Sequence, residues 1–265
     1  MDANRYKVGE QNMPRTRREK SRSGIYHIML RGINQQTIFE DVEDKSQFLY
    51  TLKKYKEVSN YELYGYCLMD NHVHLLLRET EEPLSLSIKR ISSSYVYWYN
   101  EKYNRCGHLF QERFKSEKVE NSRYFLTALR YIHQNPLKAG IVKSIFDSDW
   151  TSLNEYIVKE KLVDTELALS QFATNRKAAM DLFLQYMIEE NNDKCLEYEV
   201  IVKPTDDEVR EYLKNLGVES SSSLQKMATA KRNEILSKLK KHKGVSLRQA
   251  SRITGISKSL IQRIK

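Results

Sequence analysis

The stretch Tyr61–Arg78, YELYGYCLMDNHVHLLLR, consists of two apolar runs parted by a single polar pair. Asp70-Asn71 is a turn dipeptide, because Asn and Asp side chains bond their own backbone and tolerate the left-handed region. The reading is two strands folded back on each other. Residues two apart on a strand face the same way, so His72 and His74 converge on one side while Val73 and Leu75 take the other.

The pattern extends outward on both sides. Upstream, Ile25–Leu30 (IYHIML) reads as a strand stopped at Arg31-Gly32, followed by a helix from about Lys45 to Val58 with Phe48, Leu52 and Tyr55 on one face. Downstream, Pro83 opens a helix marked by Leu84, Ile88, Ile91, Tyr95 and Trp98, and Gly107 breaks it. Leu109–Val119 reads as a further strand and Arg123–Gln134 as a helix carrying Leu126, Leu129 and Ile132. Asn135-Pro136 is expected to close that helix, because the residue before proline is pushed out of the α region, and a short helix then ends at Gly140. The order is strand, helix, strand, strand, helix, strand, helix. It predicts an α+β fold: a ferredoxin-like antiparallel sheet with helices on one side. This domain spans residues 24–157, behind a basic tail of residues 1–23 that carries Arg15, Arg17, Arg18, Lys20 and Arg22.

Past Lys159 the pattern is all helical. Residues 158–230 read as a helical connecting region, with one or two helices in Leu167–Glu190. A capping box at Thr205 and Glu208 precedes Val209, Tyr212, Leu213 and Leu216, and Gly217 is the stop. Residues 231–265 begin with a basic amphipathic helix over Lys231–Leu239 and end in SLRQASRITGISKSLIQRIK. Leu247–Thr254 and Ser257–Ile264 flank Gly255, which can take the left-handed conformation of a tight turn, so the segment reads as a helix-turn-helix. The second helix would expose Lys258, Gln262 and Arg263 to phosphates and base edges of duplex DNA.

Composition supports a polyanionic partner. The 265 residues are 40% hydrophobic and 30% charged, an ordinary soluble globular balance. No apolar run approaches the roughly 20 residues of a membrane span. The basic N-terminus has no apolar stretch behind it, so it is not a secretory signal. Cys67, Cys106 and Cys195 fit neither a disulfide framework nor a paired zinc site, and read as reduced thiols of a cytoplasmic protein. Of the +9 net charge, residues 231–265 hold eleven Lys/Arg and one Glu, which leaves 33 basic and 34 acidic groups in residues 1–230. Charge gathered in one segment is a footprint for nucleic acid.

Two neutral imidazoles on one strand face are a natural start for a divalent-cation site. Two metal-binding or nucleotide-processing classes share the string at His72-Val73-His74. Histidine-triad nucleotide hydrolases need a third histidine two residues on, where this chain has Leu76, so that chemistry is lost. Rolling-circle and insertion-sequence nucleases instead need a tyrosine on a later helix, beside a polar side chain that completes the metal site. Tyr131 fits, with Asn135 one helical turn on; Pro136 strains that geometry, and Gln134 is the alternative. Tyr124, seven residues before Tyr131, is the competing nucleophile.

Four segments in order, IYHIMLRGIN (25–34), YCLMDNHVHLLL (66–77), HLFQERFKS (108–116) and RYIHQNPLKAGIV (130–142), resemble the single-tyrosine transposases of small insertion sequences. The likeness is greatest to the branch associated with repetitive extragenic palindromes (REP), and runs from about Gly24 to Trp150. It implies a magnesium or manganese ion, cleavage of single-stranded DNA, often beside a hairpin, and a 5′ phosphate linked to Tyr131. Arg31 and Asn34 after the first strand, with Arg113 and Lys115 on the last, are candidates for the DNA backbone. The expected protein is a monomer or homodimer with no membrane partner. The rival is a DNA-binding repressor that keeps the fold without catalysis.

Overall fold

The computed structural model describes residues 19–159, 161–197 and 204–264. The basic tail expected over residues 1–23 lies mostly outside these residues, as does Lys265. The chain divides into two compact units, one reaching to Glu197 and the other beginning at Tyr198. The stretch 158–230 contributes to both.

In the first unit the strands are β1 (Ile25–Arg31), β2 (Glu62–Met69), β3 (His72–Arg78) and β4 (Lys115–Lys118), in sheet order β2-β3-β1-β4. Every neighbouring pair is antiparallel, so the protein is α+β with a four-stranded antiparallel sheet. The last strand is shorter than expected. Glu112 takes a positive φ of 56°, which ends extended pairing before it, and Phe110 meets Gly32 only through an isolated bridge. Arg113 therefore lies in a bend before β4 rather than on it.

Helix α1 (Val42–Ser59) begins at a capping box formed by Asp41 and Asp44. Helix α2 (Leu84–Lys102) starts after Pro83. Phe48 of α1 and Tyr95 of α2 meet edge to face, with centroids 5.1 Å apart. Strand alternation puts Ile28, Leu30, Val73, Leu75 and Leu77 on one face of the sheet, all buried. Helix α3 (Ser122–Lys138) lies on the other face, its Tyr131 ring against His74. Helices α4 (Leu153–Ile157), α5 (Glu166–Leu169) and α6 (Arg176–Ile188) belong to that second side, where Phe183 and Tyr156 meet His133 of α3. The first face is thus left to α1 and α2. The expectation of helices on one side is corrected: both faces are covered, because the histidine face also carries apolar residues that need burial.

Helix α3 also runs through Pro136 to Lys138 instead of stopping before the proline. Only Leu137 and Lys138 follow the proline within the helix, and its missing N–H removes one bond while Ala139 N still donates to Asn135 O at 3.0 Å. The helix comes close to the sheet over Gly65 of β2, where a Cβ would sit 2.7 Å from Leu129 Cδ1. The loop after α3 pairs with the outer edge of β2, Leu68 N donating to Trp150 O at 2.9 Å, which covers an otherwise open strand edge.

The second unit contains α7 (Asp206–Asn215), α8 (Ser221–Lys226), α9 (Thr229–Lys241), α10 (Leu247–Thr254) and α11 (Lys258–Arg263) around its own core of Val209, Leu224, Leu236, Leu239 and Ile261. The serine run Ser220–Ser223 is a helix start, with Ser220 and Ser223 bonding each other's backbone N–H. Gly255 takes φ 68° between α10 and α11. No helix among the described residues is long and apolar enough to cross a membrane.

Candidate active site

The two strands that meet at Asp70-Asn71 bring His72 and His74 onto the face that α3 covers, with ring centroids 5.0 Å apart. Helix α3 is pinned there at two points, Leu129 over Gly65 and His133 through Ser152. His133 Nε2 lies 2.9 Å from Ser152 Oγ, which in turn accepts from Tyr66 N at 2.9 Å. Tyr131, between these anchors, is aimed at the histidines. Its ring centroid is 5.6 Å from that of His74 and 5.9 Å from that of His27 on β1.

Burial holds the imidazoles neutral, with their lone pairs free of protons. His72 is pushed down to about 4, first by burial and then by the Arg31 guanidinium. His74 lies well below its ordinary value, again through burial first. His72 Nδ1 donates to Asn71 Oδ1 at 2.6 Å, which leaves its Nε2 without a proton. Asn135 lies one helical turn from Tyr131 on α3, near enough to His72 and Tyr131 to act on the protonation of both.

Gln134 is turned away. Its Nε2 donates to Met187 O at 2.8 Å and Glu189 O at 3.0 Å, and its Oε1 accepts from Asn191 Nδ2 at 2.8 Å. Tyr124 is also directed elsewhere, its hydroxyl donating to Glu117 of β4. Of the basic candidates, Arg31 pairs in register with His72 and stands at the site's edge. Lys115 pairs with Met29, on the histidine face of the sheet. Asn34 is exposed with φ 52°, and Arg113 is exposed. Lys258, Gln262 and Arg263 are exposed on α11 of the other unit, opposite buried Ile261.

Two further residues at the site were not among those expected from sequence. The first is His27, fully buried, with Nε2 2.9 Å from His74 Nδ1. Its position on β1 shares the face of His74, a parity the strand assignment already contained. The second is Glu197, which accepts the Tyr131 hydroxyl. It lies on an irregular segment that follows α6 and is clasped by α3: Arg130 Nε donates to Asp193 Oδ2 at 2.8 Å and its Nη1 to Glu189 Oε2 at 3.0 Å. Such a segment has no periodic signature. It leaves Tyr131 only 3% exposed. Burial, and then the Glu197 carboxylate, raise the phenol above its ordinary range, so in this arrangement it is fully protonated.

The site thus sets a strand histidine pair beneath a helical tyrosine and carboxamide. Residues 20–135 match the family described as "Transposase IS200 like". The chain is 22% identical over 163 residues to a curated REP-associated tyrosine transposase of Haemophilus influenzae, covering 56% of this chain and 90% of the relative. In fold it is similar to a solved REP-associated tyrosine transposase bound to a REP hairpin, with a TM-score of 0.50 and 15% identity. That match covers 71% of this chain and 96% of the other.

Proposed function

We propose that the chain is a metal-dependent transposase that cleaves single-stranded DNA beside hairpins and holds the 5′ phosphate on Tyr131. The observation that carries this is the placement of Tyr131 and Asn135 over His72 and His74. The sheet order, with β1 and β2 parallel on either side of β3, supports the reading of a ferredoxin-like fold.

The donor set fits a divalent cation. Among the described residues, no cluster of three or more His, Cys, Asp or Glu is placed to hold a metal, and the third donor we propose is of another type. The Asn135 carboxamide oxygen is that donor, beside imidazoles kept neutral by burial. Magnesium or manganese, bound by His72, His74 and Asn135, would supply charge stabilisation at the scissile phosphate. Tyr131 Oη attacks phosphorus, the bond to the 3′ oxygen breaks, and the phosphotyrosine conserves the bond energy for a later 3′ hydroxyl. Arg31, Asn34, Arg113 and Lys115 are proposed to hold the strand by its phosphates. Residues 24–157 are proposed as the nuclease domain and residues 231–265 as a helix-turn-helix on duplex DNA, with Lys258, Gln262 and Arg263 on its exposed helix. The place of action is the cytoplasm.

The burial of Tyr131 favours a second reading, a repressor that binds DNA without cutting it. Labelled single-stranded hairpin oligonucleotides with manganese or magnesium separate the two. Cleavage that EDTA abolishes is expected; tight binding without cleavage across a broad pool would establish the repressor.

A further inference from the structure

We propose that His27 is the positioning residue of the metal site: it accepts the Nδ1 proton of His74 and thereby leaves the His74 Nε2 lone pair for the cation. The inference rests on the reading of His72, His74 and Asn135 as the metal-binding set.

His27 is a poor choice for filling space. It sits at zero exposure inside the sheet–helix layer, where an apolar side chain would carry no desolvation cost. Its Nδ1 is buried without a hydrogen-bond partner among the described residues, so the ring keeps one polar atom unsatisfied there. Its other nitrogen has one partner, His74 Nδ1, at 2.9 Å. That single bond is what the imidazole provides and no apolar residue could.

Two neutral rings joined in this way share one proton between them, and only two arrangements exist. If His27 Nε2 donates, His74 Nδ1 is the acceptor and its proton resides on Nε2, where it blocks coordination. If His74 Nδ1 donates, His74 Nε2 is bare and His27 carries its own proton on the unpartnered Nδ1. Only the second arrangement permits a metal on His74 Nε2. His72 shows the same pattern by a different partner, its Nδ1 donating to Asn71 Oδ1. Ligating histidines generally give their second nitrogen to a neighbour that fixes ring and tautomer, and losing that neighbour typically weakens metal binding about 10–100-fold. The ring centroids of His27 lie 5.1 Å from His74 and 5.9 Å from Tyr131, so it braces His74 between β1 and α3.

The test is a Mn2+ titration of the full chain, followed by loss of the free-ion electron-spin-resonance signal. Thermal melts in EDTA report folding of each variant. The wild type is expected to bind one ion and His72→Ala to lose it. His27→Leu is expected to weaken Kd about 10–100-fold, the range for a lost supporting neighbour. His27→Gln places a carbonyl oxygen near the Nε2 position and retains most of the affinity. His27→Asn is one methylene short and behaves like Leu. Should His27→Leu not fold, the Gln–Asn pair, equal in polarity and different in reach, decides alone. Leu or Asn variants within about twofold of wild type, or a Gln variant no better than Leu, would overturn the role of His27. If His72→Ala binds like wild type, or wild type binds nothing, the metal-site reading itself fails and the inference with it.

Discussion

At the scale of the residue, the site is built from groups whose charge has been suppressed. His27 and His133 are both fully buried and pushed down to about 3 from an ordinary 6.5, by burial alone. The sign of the consequence is fixed. Between pH 6.5 and 3 the unfolded chain binds protons on these rings and the folded chain does not, so stability is full above pH 6.5 and drains as the pH falls. Each such ring costs about 2 kcal/mol at pH 5 relative to neutral pH. Urea midpoints are expected to drop between pH 7.5 and pH 5, and equal midpoints would show that the rings are reached by protons without unfolding. Asn135 shows what single residues reveal from sequence. Its spacing from Tyr131 named it beside Gln134, whose side chain bonds backbone carbonyls at the end of α6, a contact no local pattern foretells.

At the scale of the element, the strand pair around Asp70-Asn71 and helices α1, α2 and α3 were legible because apolar period and turn chemistry agree there. The reading erred where a local rule met tertiary packing. Pro136 was expected to end α3, yet the helix is held by its buried face for another half turn. Leu109–Val119 was expected as one strand, yet Glu112 breaks it with a positive φ. The irregular segment after α6 that carries Glu197 had no pattern to read, since its bonds go to α3 rather than to a regular partner. Gly65 explains how α3 comes near enough for Tyr131 to reach the histidines. Gly65→Ala is expected to push Leu129 aside at a cost of about 1–3 kcal/mol, measured by urea denaturation. Wild-type stability in that variant would mean that α3 does not depend on this approach.

At the scale of the molecule, the sequence placed its excess charge in residues 231–265, and the structure gives that segment a fold within a unit that has its own core. A cleft between α9 and α11 is lined by Arg232, Lys238, Lys241 and Arg263. If α11 meets DNA phosphates, replacing both Lys258 and Arg263 by Ala should lower the salt slope of duplex affinity by about 2, one for each lost phosphate contact. An unchanged slope would assign the charge to something other than DNA. The central claim concerns one oxygen atom, Tyr131 Oη. Full-length protein mixed with a labelled single-stranded hairpin oligonucleotide and manganese is run on a denaturing gel, beside Tyr131→Phe. The account predicts a covalent protein–DNA adduct in the wild type that EDTA and Tyr131→Phe both abolish; an adduct that survives Tyr131→Phe would contradict it.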